Sequence, residues 1–336
     1  MASNVYSAEP AYPVLAHTLL PQSTPPIIAH EQPIQGSTTS EWNLNDDIAA
    51  GIKSGSSRIF RYGSVIGFSR LKMRSSDNDE YIGEIPRQIL TTHLRRNPLS
   101  SEAETFIIYP SNFDAFAARN LFNDLQSGSP GLSRDDAIKR LDSVNLLHVH
   151  NLQNAAQAIK HVSDQLQQAS ERRQQPHDAS KPSNSTSILV VVGLDTLAEG
   201  VIRASNPARG AAVLASTLRM MTRMSRTHSD FLSIILVNTS GLGSAYEFDQ
   251  EGSNRRDNAS SDADIRSSRD DGIHSIFQMS GYPLLSNLLM RTLDQGIDTH
   301  ILLSDVKYAR VAEVIKDRTG SGLGKWGIWS PQRRGF

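Results

Sequence analysis

Ser187-Ile-Leu-Val-Val-Val192 opens the stretch that decides the fold. It leads through a turn into Arg209-Gly-Ala-Ala-Val-Leu-Ala-Ser-Thr-Leu-Arg219, which continues to His228, and then into Phe231-Leu-Ser-Ile-Ile-Leu-Val-Asn238, closing on Thr-Ser-Gly-Leu-Gly243. The two short runs are apolar on successive residues and rich in Val and Ile, as in strands buried on both faces. The segment between them places Leu214, Leu218, Met221 and Met224 on one side at helical spacing. Buried strands alternating with amphipathic helix predict a parallel sheet covered on both faces. Ligands in such sheets bind beyond the carboxyl ends of the strands, so Val192-Gly193 and the residues after Asn238 are where function is to be sought.

The alternation extends outward in both directions. Residues 58–69 read as strand, glycine turn, strand, and Pro86 suits the first position of a helix carrying Ile89, Leu90, His93 and Leu94. Thr105-Phe-Ile-Ile-Tyr109 predicts a strand, followed by a helix with Phe113, Phe116, Ala117 and Leu121. Asn145-Leu-Leu-His-Val-His150 predicts another strand, and residues 154–169 another helix. Past Tyr282, strands are expected around Thr299-His-Ile-Leu-Leu-Ser304 and Ala309-Arg-Val-Ala-Glu-Val-Ile-Lys316, then a turn at residues 319–324 and a last strand Trp326-Gly-Ile-Trp329. Consecutive late strands with short turns imply antiparallel additions. The expected fold class is α/β: a mostly parallel sheet with helices on both faces and antiparallel strands near the C-terminus. The expected organisation is a Pro/Ser-rich leader at 1–43, one core domain at 44–331 with polar loops at 171–187 and 244–275, and a short tail at 332–336.

Composition narrows the function classes. The 336 residues are 38% hydrophobic and 21% charged with a formal net charge of −1, so no global basic field draws nucleic acid or membrane. Zero cysteines exclude disulfides, thiolate chemistry and cysteine-ligated zinc. No apolar run is long enough to span a bilayer, and the first residues lack a signal-peptide pattern. A soluble protein, neither secreted nor membrane-anchored, is expected.

The ordered set Gly63-Ser-Val-Ile-Gly67, Phe106-Ile-Ile-Tyr109, Leu189-Val-Val-Val192, Arg209 to Arg219 and Ile235-Leu-Val-Asn238 resembles the ATPase core of the RecA superfamily. Within it, the chain is similar to the eukaryotic recombinase paralogues of homologous recombination. Gly296-Ile-Asp-Thr-His-Ile-Leu-Leu-Ser304 and Val314-Ile-Lys-Asp-Arg318 are similar to that family's terminal strands, so the resemblance covers roughly residues 46–330. The helical lobe that precedes the core in full-length recombinases has no counterpart in the leader.

What the resemblance implies chemically is absent at the matching positions. A phosphate loop needs glycine amides around phosphate, a Lys on the β/γ-phosphates and a Ser/Thr on magnesium. The matching segment is Tyr81-Ile-Gly83-Glu84-Ile85-Pro86, with Glu84 and Ile85 in place of Lys and Thr. The family's catalytic Glu is replaced by the sequence Tyr109-Pro-Ser-Asn112, and its magnesium Asp by Val192. Asp195 comes three residues later, either reaching a metal through water or acting as a helix-capping or turn aspartate. Gly83, Glu84, Ile85, Val192 and Asp195 thus make up a degenerate nucleotide site. No catalytic residue, metal ligand or cofactor is assigned.

Basic residues form two candidate contact sets. Arg219, Arg223 and Arg226 fall in one arc of the helix, either as a phosphate- or partner-contacting stripe or as a solvated outer face. The resemblance maps a DNA-contacting loop onto residues 240–278. There Arg255, Arg256, Arg266 and Arg269 face eight acids (Glu247, Asp249, Glu251, Asp257, Asp262, Asp264, Asp270 and Asp271), which argues against strong intrinsic DNA affinity. His148-Val-His150 lacks a third metal ligand, Gly320 to Gly324 reads as a hairpin turn, and no Ser/His/Asp arrangement stands out in the sequence.

The resemblance therefore implies a nuclear, non-catalytic RecA-fold subunit that assembles with other RecA-like recombinases or paralogues, and meets DNA through the complex. Two alternatives follow from the same residues. One is an active ATP-dependent DNA-repair ATPase using ATP and magnesium, its phosphate loop missing from this version of the sequence around residues 71–82. The other is a RecA-fold scaffold outside DNA repair, as in the Elongator complex.

Overall fold

Along each central strand, successive side chains enter two different cores, and this alternation builds the molecule. In β4 (Ser187–Val192) Ile188, Val190 and Val192 face one core while Leu189 and Val191 face the other. β5 (Leu232–Val237) divides in the same way, with Ile235 and Val237 against Ile234 and Leu236. The period of two makes a continuous apolar run the signature of a strand covered twice. The computed structural model describes residues 42–53, 55, 58–71, 80–96, 104–127, 131–174, 186–243, 273–277, 284–306 and 309–329. All of them fall in one compact unit, Thr39–Phe336. The predicted leader up to residue 41, the C-terminal tail, and the acidic stretch with Arg255 and Arg256 lie outside the described residues.

The sheet has eight strands. β1 (Val65–Arg70) pairs in parallel with β5 and with β6 (Thr299–Val306), and β4 pairs in parallel with β5 and with β2 (Thr105–Pro110). β3 (Val144–Val149) ends the sheet beside β2. On the other side β7 (Ala309–Asp317) pairs antiparallel with β6, and β8 (Trp326–Trp329) antiparallel with β7. The order is β3-β2-β4-β5-β1-β6-β7-β8. The expected α/β class, with a mostly parallel sheet and antiparallel strands added near the C-terminus, is what the structure shows.

Helices divide between the two faces by the core they enter. α1 (Leu44–Ala50), α2 (Glu80–Arg96), α3 (Ala118–Ser127) and α4 (Arg134–Leu141) supply one layer. α5 (Leu152–Gln174), α6 (Leu194–Ala204), α7 (Pro207–Thr227) and α8 (Leu288–Gln295) supply the other. Trp42, just ahead of the expected core boundary, is itself a core residue, and its indole donates to Asp47 at 2.7 Å.

Four local expectations change. Residues 58–64 form no strand, only an isolated bridge between Lys53 and Arg61, because Arg61 is turned into a buried ion pair with Asp317. α2 starts at Glu80, so Pro86 lies inside the helix. Burial of Ile82, Ile85, Ile89 and Leu90, each worth about 2 kcal/mol, outweighs the roughly 3 kcal/mol cost of an interior proline. The turn expected after Val192 is the helix α6, opened by Gly193 at φ 71° and buried through Leu194, Asp195 and Ala198. α5 runs on to Gln174, past the start of the polar loop predicted at 171–187. The returning segment 273–277 is held by Glu313 of β7, which accepts from the Ile276 amide at 2.8 Å and the Ser275 hydroxyl at 2.5 Å.

Candidate functional site

The carboxyl ends of β4 and β5 carry a closed polar knot. Asp195, in the first turn of α6, is fully buried. It accepts from the Ser240 amide at 2.6 Å and the Thr239 hydroxyl at 3.4 Å. Burial pushes its carboxyl up, and the Ser240, Thr239 and Thr196 amides with the Ser240 hydroxyl only partly offset this. The Thr196 and Thr239 hydroxyls bond to each other, and Ser240 donates to Glu199 at 3.2 Å. Asp195 therefore fixes the turn that leaves β5, the second of the two roles the sequence allowed it. Val192 is buried in the apolar core at the end of β4. Gly193 lies so close to Pro110 that an added Cβ would meet the proline ring at 3.3 Å.

The other members of the expected nucleotide site lie inside α2, and this corrects their placement at the opening of a helix. The Glu84 and Ile85 amides lie past the first free donors of α2 and are engaged in i to i−4 bonding, and Pro86 has no amide hydrogen, so these positions do not cradle phosphate. A Cβ on Gly83 would meet the Ala115 Cβ at 2.5 Å, so its lack of a side chain serves close packing against the 3-10 turn Asp114–Phe116. Ile85 is fully buried. Glu84 lies 4.0 Å from Arg310, whose guanidinium covers the Tyr81 ring at 4.6 Å and the Trp329 ring at 5.3 Å. Among the described residues, then, the donor set does not fit magnesium and a nucleoside triphosphate: Asp195 is sealed into a turn, Glu84 lies within α2 beside Arg310, and the remaining positions are apolar.

This placement makes a sharp expectation. The double exchange Glu84→Lys, Ile85→Thr, which would restore phosphate-loop residue types, should instead destabilise the protein by about 2 kcal/mol. It should also give no gain in nucleotide affinity. Urea denaturation and nucleotide titration measure the two outcomes.

A second polar constellation escaped the sequence. Ser69 of β1, His300 of β6 and Asp294 of α8 stand in a line, with Ser69 Oγ 2.8 Å from His300 Nε2 and His300 Nδ1 2.9 Å from Asp294 Oδ1. Asn238 donates to Ser69 Oγ at 2.8 Å, and Lys316 donates to Asp294 Oδ2 at 2.5 Å. Burial alone would raise the Asp294 carboxyl, yet His300 and Lys316 together hold it below the usual carboxylate range. An ionised Asp294 can only accept, so His300 Nδ1 donates to it, and the other ring nitrogen meets the Ser69 hydroxyl. This is the bonding order of a serine nucleophile relay. Ser69, His300 and Asn238 are nonetheless buried, and Oγ already accepts the Asn238 amide. The relay joins β1, β6, β7, α8 and the first residue after β5. The only sequence sign of it was a polar residue interrupting each apolar run, a pattern shared by many structural residues.

The arginine stripe is exposed at all three positions. Arg219, Arg223 and Arg226 line a groove of about 460 Å³ between α7 and α8. His148 and His150 are used by Tyr109 at 2.8 Å and Ser111 at 3.3 Å. No group of three metal-ligating side chains occurs among the described residues, and none of their helices is long and apolar enough to cross a membrane. The glycines after Thr319 form the predicted turn, with the Gly322 amide donating to Asp317 at 2.8 Å.

Comparison with protein-family profiles and with curated proteins finds no match. Among solved structures, the chain is similar to the crystal structure of the RadB recombinase, with 12% identity and a TM-score of 0.47 over 89% of this chain and 97% of that one. At that distance the likeness transfers neither an activity nor the role of any residue.

Proposed function

We propose that the chain is a RecA-like recombinase paralogue without nucleotide hydrolysis, serving as an assembly or mediator subunit in DNA recombination and repair. The observation that carries the non-catalytic half is the state of the strand ends. Val192 fills the core and Asp195 is sealed under the β5 turn, where magnesium-dependent phosphoryl transfer needs an accessible carboxylate. The recombination half rests on the ordered sequence resemblance, with which the mostly parallel sheet is consistent. Assembly has a physical opening in β3, which among the described residues pairs with β2 alone and so offers an edge to a strand from a partner. On this reading the partners are other RecA-like recombinases or paralogues, DNA is met through the complex, and the protein is nuclear. ATP and magnesium are not used.

Turnover and company test it together. The purified chain should show no magnesium-dependent ATP hydrolysis above that of an Asp195→Asn variant, and the tagged chain should co-purify with recombinase relatives. Turnover that depends on magnesium would restore the active-ATPase alternative. Recovery with transfer-RNA-modification subunits would favour the scaffold alternative outside repair.

A further inference from the structure

The groove between α7 and α8 holds charge that no described residue compensates. Arg226, at one end, donates to Asp298 at 2.7 Å and to the Gly63 carbonyl. Arg219 and Arg223 also line the groove, yet neither makes a hydrogen bond or ion pair with any described residue. They are one turn apart, about 6 Å along the helix axis, and like charges at this spacing destabilise a helix slightly. The two nearby acids are already engaged, Asp298 by Arg226 and the Val65 amide, Asp294 by His300 and Lys316. The floor is hydrocarbon. Half-buried Ala215 and the threonines Thr222 and Thr292 line it, above a closed contact in which a Cβ on Gly296 would come within 2.8 Å of the buried Leu218 Cβ.

We infer that this groove docks an acidic segment of a partner protein, one that presents two carboxylates a helical turn apart and an aliphatic side chain between them. The carboxylates would take bidentate bonds from Arg219 and Arg223, and the aliphatic group would lie over Ala215 and the threonine methyls between the helices. Several features favour a peptide over phosphate. The groove lies along the C-terminal halves of both helices, where no free backbone amide points outward. Phosphate sites ordinarily use the opposite, amide-bearing end, and a sugar-phosphate chain offers little hydrocarbon to an apolar floor. The surface is remote in kind from the strand-end chemistry, so the inference stands whether or not the chain turns over ATP.

A fluorescein-labelled helical peptide with glutamates one turn apart and leucine on the same face tests it by anisotropy. Its controls are the glutamine version of the peptide and a single-stranded oligonucleotide of equal net charge. The glutamate peptide should bind, and Arg219→Glu with Arg223→Glu should weaken it roughly tenfold or more. Arg209→Glu, an exposed charge on the same helix outside the groove, should leave affinity within about twofold. Circular dichroism should be unchanged for all variants, because these side chains are exposed. The inference is overturned by absence of binding, by equal binding of the glutamine peptide, by an equal loss with Arg209→Glu, or by tighter binding of the oligonucleotide.

Discussion

Asp317→Ala should lower the stability of the folded chain by about 3–5 kcal/mol, because it strands a buried guanidinium. Arg61 donates to Asp317 at 2.5 Å, to Thr299 at 3.2 Å, to the Arg58 carbonyl at 3.0 Å and to Thr319. Both members of the pair are buried. Asp317 also accepts from the Gly322 amide at 2.8 Å, so one carboxylate ties the segment before β1 to the start of β6 and the turn after β7. Replacing both partners by apolar residues, Arg61→Met with Asp317→Leu, should cost less than the single exchange, since no charge is then left unpaired. Urea denaturation followed by fluorescence suits the measurement. All three tryptophans, Trp42, Trp326 and Trp329, lie at or beside β8, the neighbour of β7.

The same pair sets an acid limit. Burial opposes ionisation of Asp317, but the Arg61 contact, with the Gly322 and Thr319 amides, holds its carboxyl below the ordinary value. A depressed folded value means its stabilisation is complete above the unfolded value of about 3.9 and is lost as pH falls toward the folded one. Asp294 is depressed too and adds to the same window. The wild-type chain should therefore lose stability steeply below about pH 4, and Asp317→Ala should lose it less steeply. Equal slopes would remove the ion pair from the account.

What the sequence discloses is governed by how local the signal is. The two-sided burial of β4 and β5 is visible because both faces demand apolar residues, which turns Ser187 to Val192 into an unbroken run. The antiparallel ending is visible because short turns permit nothing else. α6 was hidden because Gly193, Gly200 and the Ser205-Asn206-Pro207 break resemble turn residues. In the structure Gly193 opens one helix, while Asn206 caps the next by accepting from the Arg209 amide at 2.8 Å. Pro86 misled for a related reason: its local preference for a first turn is weaker than the burial of four large residues around it. At the site, the absence of phosphate-loop residue types was legible. The reason those positions are packed was not, since Gly83 against Ala115 and Glu84 beside Arg310 are contacts across long chain separations.

The Ser69, His300 and Asp294 line is the extreme case of that rule, and it supports the second large expected effect. His300→Ala should cost about 3–5 kcal/mol, combining a cavity in the sheet with two buried groups, the Ser69 hydroxyl and an Asp294 oxygen, that lose their partner. His300→Leu refills much of the volume and should recover only the cavity share. Adding Ser69→Ala to His300→Leu should then cost less than the sum of the single exchanges, with a coupling of about 0.5–3 kcal/mol, because the hydroxyl no longer needs an acceptor. Catalysis and architecture make opposite predictions for the same hydroxyl. A nucleophile must be reached by its substrate, whereas Ser69 has no exposed surface and already receives the Asn238 amide. A fluorophosphonate reagent should leave Ser69 unlabelled in the native chain, and native labelling there would overturn the structural assignment. If the couplings hold, the histidine fixes the register of β1 against β6 and the seat of α8. Its proton then does its work in folding, and the strand ends above it are left to Asp195 and the β5 turn.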